Sequence, residues 1–162
     1  MIAIAAGLGL LCGCTGGSPE GLTILRAGSI SLYEGLPHAM YEPESLAAEK
    51  KAKPTIELHG FSFYRQALAP SGGDQAKLKA SLGDAGSYSP YSGEKKCGGF
   101  HPDYAVEWTV AGEPYACLIC FGCGEIKVFG PKGEATYDVP REARERLKIL
   151  LAPHRRNRPV HD

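Results

Sequence analysis

Between Asp103 and Tyr137 apolar and β-branched residues gather into four short runs, 104–110, 115–121, 125–129 and 135–137. Turn-forming clusters separate them: Ala111-Gly112-Glu113-Pro114, the glycine and cysteine segment 122–124, and Gly130-Pro131-Lys132-Gly133. Short β-prone runs broken by such residues predict a four-stranded antiparallel meander. Directly after it the period lengthens. Ala143, Leu147, Leu150 and Leu151 form one helical stripe, with Asp138 as candidate cap and Pro140 in the first turn. Glu142 with Arg146, and Arg141 with Glu145, are spaced as outward ion pairs on that helix. A meander whose apolar face meets the stripe is an α+β arrangement.

Upstream the pattern is less regular. Residues 22–26 and 30–33 predict two small strands, or one interrupted strand, around Ala27-Gly28-Ser29, and 33–38 a loop. A helix fits 43–53, with Pro43 in its first turn, Glu44 at its positive end, lysines at its negative end and Pro54 as its stop. It carries few large apolar side chains, which places it on the surface. Residues 55–61 predict a strand, extended by Phe63 and Tyr64 past Gly60. Residues 74–82 predict a short helix ended by Gly83, and 83–99 a long loop.

Composition narrows the functional classes. The 162 residues hold 18 Lys plus Arg against 18 Asp plus Glu, so no global field draws in a nucleic acid, and none is expected as a partner. The basic stretch 141–158 reads as a solvated helix face and tail. Residues 2–11 are apolar or small, too few to cross a bilayer and about the length of a signal-peptide core. Leu11-Cys12-Gly13-Cys14 follows, and resembles the end of a bacterial lipoprotein signal, in which Cys14 would be acylated and become the new first residue. Two features depart from that pattern: Cys12 replaces the usual small residue, and no Lys or Arg precedes the apolar core. The expected organisation is a signal over 1–14, a tether over 15–21 and a single domain over 22–162, held to a membrane by the lipid and facing the periplasm or exterior. A buried N-terminal strand or helix is the competing reading.

That placement leaves Cys97, Cys117, Cys120 and Cys123 in a compartment where disulfides persist. Strand alternation sends Cys117 and Cys120 to opposite faces, and Cys117 reads as core filler. Cys120-Phe121-Gly122-Cys123-Gly124 has the sequence of a zinc knuckle, and Cys97 with His101 would complete a Cys3His site for zinc. Equally, a disulfide from Cys97 to Cys120 or Cys123 would pin the loop to the sheet. Thioredoxin-like chemistry is disfavoured, because a strand rather than a helix follows the CxxC. His38, His59 and His101 lie in loops or at strand ends, with Glu34 and Asp103 as candidate orienters of a metal-bound histidine. No nucleophile elbow, phosphate loop or HExxH is present.

The segments Ser31-Leu32-Tyr33-Glu34-Gly35-Leu36-Pro37-His38 and Cys97-Gly98-Gly99-Phe100-His101-Pro102-Asp103-Tyr104-Ala105, with Cys120-Phe121-Gly122-Cys123 downstream, resemble a family of uncharacterised bacterial envelope proteins. The resemblance runs from about Leu32 to Pro159 and implies that the histidine loop and the cysteine loop belong to one domain. It brings no mechanism. The expectation is an envelope lipoprotein acting as a binding or structural module, with a Cys/His site closed by zinc or a disulfide and a partner of unknown kind. The opposing expectation is an enzyme in which loop histidines join Cys97 or Cys120 around a catalytic metal or reactive thiol.

Overall fold

The structure, a computed structural model, describes residues 19–159; Cys12 and Cys14 lie outside them. Its four predicted meander strands are β5 (Tyr104–Val110), β6 (Glu113–Cys120), β7 (Glu125–Gly130) and β8 (Gly133–Asp138). Two more strands extend the sheet. They are β1 (Ile30–Glu34), paired antiparallel with β5, and β4 (Ser89–Pro90), paired with β8, giving the order β1-β5-β6-β7-β8-β4. The separate hairpin β2 (Thr55–Leu58) and β3 (Phe61–Tyr64) is a second small sheet. The α+β class and the meander against a C-terminal helix are therefore observed.

Register follows from the turns. Ala111 and Gly112 join β5 to β6 with φ of 53° and 85°, and His59 with Gly60 joins β2 to β3 with φ of 52° and 81°. Two positive φ angles in a two-residue loop match the right-handed twist of the strands they connect. This corrects the single strand expected over 55–61: the chain reverses at His59-Gly60. Residues 22–26 are likewise not a strand but part of a 3-10 helix, Glu20–Arg26, in which Gly21 is already buried. The long loop 83–99 supplies β4 and a 3-10 turn, Ala85–Ser87.

One sheet face carries the main core. Val106, Cys117, Ile119, Ile126 and Val128 alternate onto it and meet Leu78 and Leu82 of α2 (Gly72–Leu82) and Ala143, Leu147 and Leu151 of α3 (Arg141–Leu151). Burying each large aliphatic side chain contributes about 1.5 to 3 kcal/mol. Gly83 follows α2 as its C-cap without a left-handed turn, and glycine is needed there because a Cβ would fall 2.3 Å from Leu25. Helix α1 (Pro43–Ala52) buries no residue, as its composition predicts.

The polar faces of the helices differ from expectation. Asp138 does not cap α3; Pro140 stands at the cap, while the Asp138 carboxylate accepts from Lys95 Nζ (2.9 Å) and Ser92 N (3.0 Å). Arg146 leaves Glu142 and donates instead to Ser81 Oγ and Ser87 Oγ, each at 3.0 Å, joining α3 to α2 and its following turn. Glu145 meets Lys148 at 3.1 Å rather than Arg141.

Candidate functional site

The opposite sheet face is where the sequence motifs converge. Its apolar cluster is small, with Phe63, Ala105 and Leu118 fully buried and the hairpin and Phe100 packed around them. Beyond it, toward the ends of β6 and β7, cross-strand pairing sets Cys120 opposite Glu125 and Glu125 opposite Asp138. Directly opposed residues share a face, so these three form one row. Cys117 faces the helices and is fully buried, with its thiol pushed far up by burial; its expected role as core filler and the split of Cys117 from Cys120 both hold.

The histidine loop and the cysteine loop meet. Gly35 N donates to Asp103 O (2.7 Å), and a Cβ on Gly35 would lie 2.0 Å from the Pro102 carbonyl, so glycine alone permits this approach. Three residues further on, the ring of His38 lies 4.5 Å from that of His101 and 4.5 Å from that of Tyr41. His38 Nδ1 accepts from Met40 N (3.0 Å), and its Nε2 is buried without a hydrogen-bond partner among the described residues. His101 bonds the Leu36 backbone; burial lowers its pKa, the Asp103 charge opposes that shift, and the neighbouring His38 reinforces it. His59 does not join them. It sits at the hairpin turn, stacked 3.9 Å from the ring of Phe129.

Glu34 and Asp103, expected to orient a ligated histidine, do something else. The Glu34 carboxylate is 2 % exposed and accepts four hydrogen bonds from the C-terminal segment: Arg156 N (3.0 Å), Asn157 N (2.7 Å), Asn157 Nδ2 (3.1 Å) and Arg158 N (2.8 Å). A carboxylate so furnished is stable out of water. Asp103 accepts from Phe121 N (2.7 Å) and from Arg158 Nη1 (3.0 Å), while Arg158 Nη2 reaches Glu42 Oε2, which also accepts from His38 N (3.0 Å). Arg158 thus links the tail to both loops. A cleft of about 260 Å³ opens beside this junction, lined in part by Glu34, Asp103, Phe121, Lys148 and Arg155. Sequence reasoning missed Arg158 and Glu42, which have no motif around them. The only signal was the basic tail itself, and it read as solvated.

Of the two sulfur pairings left open, the structure has a disulfide: Cys97 to Cys123, with Cα atoms 5.6 Å apart, inside the span that a bridge requires. Cys120 keeps a free thiol and is buried. Its Sγ accepts from Cys123 N (3.2 Å) and from the His101 backbone; burial raises its pKa and these two donors partly counter it. A sulfur engaged in a disulfide has no thiolate to offer a metal, so the Cys97, His101, Cys120 and Cys123 quartet expected for zinc is not assembled in this oxidised chain. Among the described residues no group of three or more His, Cys, Asp or Glu side chains is placed to hold a metal ion. Lys95 fastens the same loop from its other side, at 2.9 Å from Asp138 and 3.7 Å from Glu125. Burial pushes the Glu125 carboxyl up, Lys95 works against that, and the Asp138 charge adds to it.

No family model matches this chain, and neither do any curated proteins or solved structures. Among the described residues no helix is long and apolar enough to cross a membrane.

Proposed function

We propose that this chain is an envelope lipoprotein, acylated at Cys14, whose domain is a non-catalytic binding module stiffened on one sheet face by a disulfide. The observation that supports the reading is the Cys97–Cys123 bridge. Bridges of this kind persist in oxidising compartments and are rare elsewhere, which agrees with the lipoprotein-like Leu11-Cys12-Gly13-Cys14. Lipid at Cys14 would hold the domain to a membrane, and the resemblance to envelope proteins in the 31–38 and 97–105 segments points the same way. The test is expression of the full chain in a bacterium with radiolabelled palmitate. Label in the membrane fraction that disappears in Cys14→Ser supports the reading; unlabelled protein with its first methionine intact in the cytosol overturns it.

A second reading keeps the histidines and zinc. The contact between His38 and His101, with one buried imidazole nitrogen unpaired among the described residues, in the loops that also carry the cysteines, favours a metal- or thiol-dependent enzyme once the bridge is reduced. Titrating the reduced chain with zinc tests it: stoichiometric binding lost in His101→Asn and Cys120→Ser favours the enzyme where the bound ion keeps a position open to an added ligand, a closed four-ligand site favours the structural module, and absence of binding overturns the metal reading.

A further inference from the structure

Three sulfurs lie at one place on this face, and one of them is left over. The turn from Cys120 to Cys123 is closed by Gly124 N donating to Cys120 O (3.0 Å) and by Cys123 N donating to Cys120 Sγ. Residues three apart in such a turn lie within about 7 Å, close to the span that a disulfide covers. Cys123 therefore has two possible partners: Cys97, which holds it now, and Cys120. They differ in their surroundings. Cys120 is 2 % exposed, whereas Cys97 is half-buried in a loop whose next two residues, Gly98 and Gly99, take φ of 81° and 89°. Two glycines in the left-handed region give that loop a hinge which other residues would resist.

We propose that Cys97, Cys120 and Cys123 form a thiol–disulfide exchange centre, in which Cys120 displaces Cys97 from Cys123 and leaves Cys97 as a surface thiol that reacts with a low-molecular-weight disulfide. In the first step the Cys120 sulfur, having given its proton to water, attacks Cys123 Sγ. A Cys120–Cys123 bond forms, the Cys97–Cys123 bond breaks, and its electron pair leaves on Cys97. No oxidant is consumed. In the second step the Cys97 thiolate attacks one sulfur of an external disulfide; a mixed disulfide forms on Cys97, and the other half departs as a thiolate. The exchange moves the unbridged sulfur from a buried position, where an anion is penalised, to a half-buried one nearer to water, which favours Cys97 as the leaving group. Cys117 is excluded by lying on the other face of the sheet. The centre depends on the bridge alone, so it stands whether or not Cys14 carries lipid.

The probe is oxidised glutathione, added to the full chain at mildly alkaline pH and followed by acid quench, digestion at Glu107 and Glu113 to separate Cys97 from the other cysteines, and non-reducing mass spectrometry. The expected product carries glutathione on Cys97 together with a Cys120–Cys123 link in the same molecule, and Cys117→Ser gives it too. Cys120→Ser should lose the adduct entirely and keep Cys97–Cys123. In Cys97→Ser, which needs no displacement, glutathione should close Cys120–Cys123 directly. An adduct on Cys120 with the original bridge intact overturns the proposal, as does a bridge that never moves or a Cys97→Ser chain without the new link.

Discussion

The two faces of the sheet are covered in different ways. On the helix side, eighteen buried side chains among the described residues join in one apolar cluster; on the hairpin side only Phe63, Ala105 and Leu118 do so. The helix side closes by area removed from water, which is non-directional and tolerant of detail. The other side has too little apolar surface for that and closes by discrete links, the Cys97–Cys123 bridge and Lys95 on Asp138; two links of the same kind, Glu34 on the tail backbone and Arg158 between Asp103 and Glu42, fasten the end of the sheet, where Glu34 continues the helix-side row of Ile30 and Leu32. Each link depends on a few atoms at fixed distances. A face built this way can be opened by chemistry, by reduction or by acid, under conditions that leave the first face closed.

Four variants test that contrast. The largest effect is expected from Leu147→Ala, which leaves a cavity in the helix-side core; it should lower unfolding free energy by about 2 to 5 kcal/mol in denaturant titrations. That loss should be the same within about 0.5 kcal/mol with or without reductant, since the two faces share few partners; a large difference would break the comparison. Next comes the double change Cys97→Ala and Cys123→Ala. It should cost about 3 kcal/mol, from the loop that the bridge closes, and reduction of the wild type should reproduce that loss.

Glu34→Ala should cost about 1 to 3 kcal/mol by leaving backbone donors unmatched. The signature is faster amide exchange at Arg156, Asn157 and Arg158, while Leu147 and its neighbours on α3 keep their protection. The smallest effect is expected from Asp138→Asn, read as stability against pH. Lys95, and after it Ser92, hold the Asp138 carboxyl below the ordinary carboxylate range. Its stabilising contribution is therefore complete above about pH 4 and is lost as the pH falls through the folded value. The variant should be the less stable at pH 7 and converge with wild type in acid; parallel curves would show that the Lys95 contact contributes nothing.

How much of this was legible in the sequence follows from the same division. The meander and the α3 stripe were readable because period-2 and period-3.6 burial are written into neighbouring residues, from Tyr104 to Leu151. The opposite orientation of Cys117 and Cys120 came from the same alternation. The hairpin turn was missed because His59 occupies a left-handed position where Asn or Asp usually signals one. Glu34 lies more than a hundred residues from the tail that it binds, and nothing local at either end announces the other. Bridge and zinc knuckle demand the same cysteines at the same spacing, so only the position of Cys97 relative to Cys123 distinguishes them. His38 and His101 were singled out correctly as loop residues, but their meeting depends on Gly35 slipping beneath Pro102, a matter of backbone proximity rather than pattern.

The bridge also matters for a domain that is pulled. Cys97 and Cys123 are 26 positions apart, and the segment between them holds both β5 and β6, which are neighbours in the interior of the sheet. Under tension applied at the two ends of the chain, that segment cannot lengthen while the sulfurs stay joined. Roughly 90 Å of contour is withheld from extension. A reducing agent would release it as a single step, visible as a longer plateau in a force trace.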